Sequence, residues 1–387
     1  MPQQRLRAVF MRGGTSKAVM FRQGDLPADR DAWAPLFLAV MGSPDPNGRQ
    51  LDGMGGGISS LSKVCVIGPP SRDDADVDYT FAQVAVDRAI VDYSGNCGNM
   101  SSAVGPFAVD EGMVPRPNGR DATVRIHNTN TRKIIVSRFG MDGEQAAVIG
   151  DLALDGVAGT GAPIRLDFTD PAGARTGRLL PSGHATDMLD VPGLGQIEAS
   201  MIDAANPCVF VRAADLGRSG TERPDALERD SALLDKLEAI RRAASMAMGI
   251  APDTETAAAI PSVPKVAMLA APAEVRTLSG RTLTAGDIDI LVRMISVGQP
   301  HRAVPLTGAL CLAVACRVPG SIAHQLAGVG QNGDLRIGHA SGVVLVAANA
   351  RVTANGIEVP YATVYRTARR LFQGEVFYPA LERRQAT

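Results

Sequence analysis

At 387 residues the chain is longer than one hydrophobic core supports and calls for two domains. Its 39 basic and 40 acidic side chains leave a formal charge of -1, which removes any general attraction for nucleic acid or an anionic membrane. With 4% aromatic residues against 41 glycines and 25 prolines, the composition favours a sheet-rich fold with many turns and offers few rings for base stacking.

Residues 5–21 alternate apolar and polar side chains on either side of Gly13-Gly14-Thr15-Ser16, which predicts two strands about a tight turn. Residues 26–41 predict a helix capped by Asp25, with Pro27 and Asp29 in its first turn and Trp33, Leu36, Phe37 and Val40 on one face. Pro35 kinks it or marks a second start. After a glycine cluster at 53–57, Lys63 opens the short apolar strand 62–67, and alternation continues at 78–86 and 88–92. That last strand stops at Ser94-Gly95. Residues 96–112, small and apolar, then read as a buried helix that starts near Asn96 or Cys97 and closes on Gly112. Further strands are expected at 122–126, 133–136, 146–149 and 164–168. Residues 225–248 form an amphipathic scaffold helix with Leu227, Leu233, Leu234, Leu237, Ile240 and Met246 at helical spacing.

The second half replays the first. Residues 263–269 echo 62–67, the run from Pro305 through Thr307 and Gly308 to Ala315 echoes the helix at Cys97, and 203–211 resembles 11–21. Divergent duplication predicts two similar lobes, each wrapping strands around a central helix, with both helix N-termini at one cleft. Chance similarity between apolar strands is the alternative.

Five cysteines without a CxxC pair read as reduced thiols. No apolar leader with a small-residue cleavage site opens the chain, and the apolar run at 342–350 falls far short of the ~20 residues a membrane helix needs. A cytoplasmic location is expected.

Chemistry concentrates at Cys97. Glycines flank it at the expected start of a helix, where free N–H groups and the dipole hold an anion and lower a thiol's pKa. Cys65, Cys311 and Cys316 read as small buried hydrophobes, and Cys208 leans the same way. Lys63 is the odd residue in an apolar strand. It is either a desolvated base or a strand-edge lysine with its amine in water, and its companion Cys97 favours the base. The Gly13-Gly14-Thr15-Ser16 turn and the Gly338–Gly342 segment supply hydroxyls and N–H donors suited to carboxylates. Two helix N-termini and two such turns can hold a polycarboxylate and stabilise the charge that develops when a proton leaves carbon beside a carboxylate. No P-loop or GxGxxG occurs and the five histidines lack metal-ligand spacing, so neither nucleotide nor metal is inferred.

The segments MRGGTSK (11–17), DGMGG with SKV (52–64), DYSGNCGNMSSAVGPFA (92–108), DAANPCVFV (203–211), PLTGALCLAVA (305–315), GHASG (338–342) and RTARRLF (366–372) together resemble the PrpF-type isomerases of the diaminopimelate-epimerase superfamily. The resemblance implies an α+β fold of two pseudo-symmetric lobes, each a sheet wrapped round a central helix. The lobes are placed at 1–185 and 186–387, with the last strands free to return to the first. It also implies a cofactor-independent isomerase of 2-methylaconitate, methylitaconate or 4-oxalomesaconate, with the family's lysine and cysteine falling on Lys63 and Cys97. Cys97 is then a second acid/base or a polar neighbour. Related racemases need a second thiol at the other central helix; here Thr307-Gly308 stands there, which disfavours a two-thiol racemase. Ala340 replaces a proline common in relatives and bears on the fit of Ser341. Expected substrate contacts are Thr15, Ser16, Asn96, Gly98, Asn99, Asn206, Thr307, Gly308, Ser341 and Gly342.

The substrate expected from these spellings is a 2-methylaconitate-like tricarboxylate, with 4-oxalomesaconate as the alternative and a homodimer as the default assembly. Two other classes compete: a dicarboxylate-binding module without chemistry, and a cysteine hydrolase built on Cys97. The first leaves a lysine and a thiol without purpose. The second lacks a histidine in a motif that marks it as the base.

Overall fold

The structure is a computed structural model and describes residues 3–93, 96–296, 298–327, 333–354 and 356–379. The chain divides into two compact units, Met1–Asp167 with Tyr365–Thr387, and Phe168–Val364. The break expected after residue 185 therefore lies inside the second unit, and the strand Ala368–Tyr378 returns to the first.

In the first unit, β1 (Gln4–Gly13) and β2 (Ser16–Arg22) pair antiparallel, and Gly13 opposite Ser16 leaves Gly14-Thr15 as a two-residue turn. The sheet runs from the strand Ala368–Tyr378 through β1 and β2 to β3 (Lys63–Gly68) and β4 (Val77–Val84), then to the strands Asp121–Asn128 and Lys133–Asp142. Its two parallel joints are β2 with β3 and β4 with Asp121–Asn128; the rest are antiparallel.

The helix expected from residue 26 begins later. The Asp29 side chain accepts from the Asp31 N–H and caps a single 3-10 turn, Arg30–Ala32, and α1 then spans Trp33–Met41. Pro35 sits in its first turn, where an N–H has no helical partner to lose. Trp33, Leu36, Phe37 and Val40 are buried against Phe21, Val64 and Val66, as the spacing predicts.

The central helix α2 spans Gly98–Asp110, with Cys97 as its N-cap and every residue from 100 to 109 buried. Small side chains on all sides allow this: a Cβ on Gly105 would lie 2.7 Å from Ser137 Oγ. The helix stops at Gly112 (φ +66), whose N–H bonds the Val109 carbonyl while the Met113 N–H bonds that of Ala108. Those are the two bonds of a Schellman stop, and they confirm the expected end.

The second unit repeats the pattern. Its strands Asp187–Val191, Gly195–Ala204, Asn206–Arg212, Lys265–Ala270, Ile290–Ser296, Asp334–His339 and Gly342–Thr353 pair successively. The joints run antiparallel, antiparallel, parallel, antiparallel, parallel, antiparallel, the same order as in the first unit. A second buried helix, Leu306–Ala315, matches α2. Chance similarity of apolar strands does not produce two sheets with one order of joints, so the duplication stands.

Three expected elements change at their edges. The scaffold helix is two, Pro224–Arg229 and Ser231–Ala247, because the Asp230 carboxylate accepts from the Leu233 N–H at 3.1 Å and caps the second. Leu227, Leu233, Leu237 and Ile240 are buried, Leu234 is half-buried and Met246 is exposed. The strand expected at 88–92 contracts to Val91–Asp92, because 87–90 bend in solvent, and that at 146–149 to Gln145–Ala146, because Ile149 is 92% exposed.

Candidate active site

Lys63 opens β3 opposite Gln83 of β4. The residue is only 7% exposed, and its Nζ lies 5.0 Å over the Phe81 ring and donates to Gln83 Oε1 at 2.5 Å. Gln83 cannot turn away, because its Nε2 donates to the Ser59 and Ser62 carbonyls at 3.0 and 2.8 Å. That fixes the amide oxygen toward the amine. The strand-edge alternative for Lys63 is not what the fold builds: its nearest polar partner is a neutral amide, and no carboxylate pairs with it among the described residues.

The glycine cluster ahead of Lys63 packs on its own neighbours. A Cβ on Gly55 would lie 2.2 Å from Gln50, whose amide bonds Ser43 and Ser62, so the cluster closes over a buried glutamine that holds the start of β3.

Cys97 caps α2 with extended backbone and a side chain that makes no capping hydrogen bond, and it is half-buried. Its carbonyl accepts from the Ser101 N–H and Oγ, so the chain enters the helix in a fixed path. Cys65, two residues after Lys63 on the same face of β3, links the two groups. Burial pushes the Cys65 thiol well up; the Cys97 sulfur adds to that and the Lys63 ammonium opposes it. Cys65 itself is fully buried and donates toward Tyr79 Oη at 3.8 Å, so it stays a protonated packing residue, as expected.

Around the N-terminus of α2 the sequence-predicted contacts gather. Asn96 Oδ1 accepts from Asn128 Nδ2 and Ser101 Oγ. Asn99 Nδ2 donates to Thr15 Oγ1 at 3.0 Å. Thr15 is exposed at the tip of the β1–β2 turn and Ser16 is buried behind it. Gly98 begins the helix, which leaves the first-turn N–H groups for a ligand. The turn is held from below by Arg12, whose Nη1 donates to the Gly14 and Thr367 carbonyls. Ser94 and Gly95 lie outside the described residues.

In the second unit, Asn206 begins its strand with Nδ2 bonded to the Pro207 carbonyl. Thr307 and Gly308 fall in the first turn of Leu306–Ala315, and a Cβ on Gly308 would meet Met294 Sδ at 2.4 Å. Ser341 and Gly342 close the turn before Gly342–Thr353. Both the N–H and Oγ of Ser341 donate to the Arg302 carbonyl, which ties that turn to the segment leading into Thr307.

Three residues of interest were not singled out from the sequence. Gln83 gave no signal. Lys265, the duplicate of Lys63, stands in register with Cys208; burial lowers its pKa and Cys208 opposes this. The echo of 62–67 in 263–269 was the signal for it. Arg366, inside the RTARRLF segment, is only 8% exposed and donates from Nε to Asn99 Oδ1 at 3.0 Å.

A family model described as PrpF protein matches residues 3–379. The chain is 41% identical to a 3-methylitaconate isomerase of Eubacterium barkeri over 97% of each protein. It is 40% identical to a 2-methyl-aconitate isomerase of Shewanella oneidensis (strain ATCC 700550 / JCM 31522 / CIP 106686 / LMG 19005 / NCIMB 14063 / MR-1) over 98% of each. A crystal structure of a methylitaconate-delta-isomerase superposes with a TM-score of 0.90 at 39% identity, covering all of both chains.

Proposed function

This chain is an isomerase of the PrpF family, and from that premise we propose that it catalyses a cofactor-independent 1,3-allylic proton shift on an unsaturated tricarboxylate of the 2-methylaconitate kind. The observation that supports the reading is the amine of Lys63, buried on β3 with a neutral amide oxygen as its hydrogen-bond partner. A lysine without a counter-ion can give up and take back a proton; one locked in an ion pair cannot do so readily.

The amine of Lys63 takes a proton from the sp3 carbon beside a carboxylate. The electron pair left behind delocalises into that carboxylate and over the neighbouring double bond as a dienolate, and a proton returns at the far allylic carbon. The double bond then migrates, or rotates while it is delocalised. Cys97 serves as the second acid/base. The N–H groups of 96–99, Gly98 among them, with Thr15 and Ser16 hold carboxylate oxygens where charge builds. Asn206, Thr307, Gly308, Ser341 and Gly342 are proposed as further carboxylate contacts, and the location as cytoplasmic.

Proton NMR in deuterium oxide tests this with trans-aconitate, 2-methylaconitate, methylitaconate and 4-oxalomesaconate, beside Lys63→Ala. Deuterium entering an allylic carbon with the wild type alone is the expected result. No exchange in any of the four acids refutes the reaction and leaves a carboxylate-binding protein.

A further inference from the structure

A buried arginine is normally paired with a carboxylate, because an uncompensated charge away from water is costly. Arg366 breaks that rule. It donates from Nε to Asn99 Oδ1 and from Nη1 to the Tyr365 carbonyl, and no acid pairs with it among the described residues. Burial lowers its pKa to about 10, which still leaves it a cation at neutral pH. The fold makes room for it: Gly14 adopts φ +51, and a Cβ there would lie 2.3 Å from Asn99 Oδ1 and 3.1 Å from Arg366 Cδ.

The bonds beyond Arg366 run in one direction. Arg366 Nε–H donates to Asn99 Oδ1, which fixes the Asn99 amide. Asn99 Nδ2–H donates to Thr15 Oγ1. The Thr15 oxygen is thereby used as an acceptor, and its hydroxyl keeps a proton to donate from an exposed position beside the first turn of α2. Each donor in such a chain is strengthened by the one behind it.

We propose that Arg366 is a positioning residue whose charge is relayed through Asn99 to the Thr15 hydroxyl, and that the missing counter-charge is a carboxylate of the bound ligand. The inference rests on the proposed function only in taking the ligand as a polycarboxylate. The relay explains why a cation is buried at a helix N-terminus, where it repels the dipole: the ligand's negative charge offsets both. It also gives the β1–β2 turn a role that an ordinary hairpin lacks.

The test is calorimetric binding of propane-1,2,3-tricarboxylate, an unreactive saturated tricarboxylate, to wild type, Arg366→Met, Thr15→Val and the double variant. Thermal melting and deuterium exchange are followed in parallel. Losing one charge-assisted bond weakens binding about 10- to 100-fold. Arg366→Met should show that loss with a cooperative melt, Thr15→Val a smaller one, and the double variant little more than Arg366→Met alone, because the two act in one chain. Arg366→Lys, which keeps the charge, should bind within about tenfold of wild type. If Arg366→Met folds and binds like wild type, or if the two losses simply add, the relay is wrong. Should Arg366→Met not fold, Arg366→Lys decides: a folded Lys variant that has lost binding more than about 100-fold overturns the account. Wild type that binds the tricarboxylate but exchanges no proton would refute the proposed reaction and leave the relay standing.

Discussion

Lys63 and Gln83 face each other across the antiparallel joint of β3 and β4, and the glutamine amide is pinned by two backbone carbonyls so that its oxygen can only meet the amine. A neutral acceptor steadies the ammonium without locking it. Replacing it with Gln83→Glu places a carboxylate beside the amine and makes the ion pair that the wild type lacks, so kcat/KM at neutral pH should fall about tenfold or more. Gln83→Leu removes the acceptor that orients the amine and should lower kcat/KM too. Steady-state rates of both variants equal to wild type would show that Gln83 does not act on Lys63.

Thiol accessibility separates the five cysteines. Cys65, Cys208, Cys311 and Cys316 are buried, and burial raises the thiols of Cys65, Cys311 and Cys316. Cys97 alone is half-exposed. Iodoacetamide at neutral pH should therefore add one label to the folded protein, on Cys97, and five after denaturation, counted by intact mass and placed by peptide mapping. Labelling of a second cysteine at a comparable rate in the folded protein would contradict the burial described.

Gly14→Ala should be costly out of proportion to one methyl group. The backbone there is left-handed, and the new Cβ would overlap Asn99 Oδ1. Strain and displacement together should cost about 2–3 kcal/mol of stability, and KM should rise because Asn99 and Thr15 separate. Denaturant unfolding and steady-state kinetics measure the two effects.

His301 gives the protein a pH-sensitive weak point. Burial first, and the Lys265 ammonium second, hold its imidazole down to about 4, and its Nε2 is buried without a hydrogen-bond partner among the described residues. A folded-state pKa below the unfolded one means that the unfolded chain binds the extra proton first. Stability is thus full above about pH 6.5 and falls as pH drops toward 4. The ring is partly solvated, so the loss from this group should be on the order of 1 kcal/mol. His301→Gln should flatten that part of the stability curve in urea melts between pH 4 and 7; an unchanged slope would assign it to other groups.

The diaminopimelate-epimerase-like α+β fold was legible in outline because its signals are local or periodic. Gly14-Thr15 needs only its neighbours to turn, α2 is recognised from small apolar residues ending at Gly112, and the duplication shows in two echoed segments. Element edges were less legible, as at Asp29 and Asp230, where one carboxylate chooses which N–H to cap.

By itself the sequence determined the turn, the central helices and the family, and it singled out Lys63 and Cys97 as candidates. Those depend on residue types at short spacing, where covalent geometry and helix or strand period dictate what stands beside what. Only the tertiary structure decided that Gln83 meets Lys63 and that Arg366 is buried beside Asn99 without an acid among the described residues. Arg366 and Asn99 are 267 positions apart. Hydrogen bonds and desolvation act over a few ångströms in space and have no period along the chain, so folding alone brings such partners together.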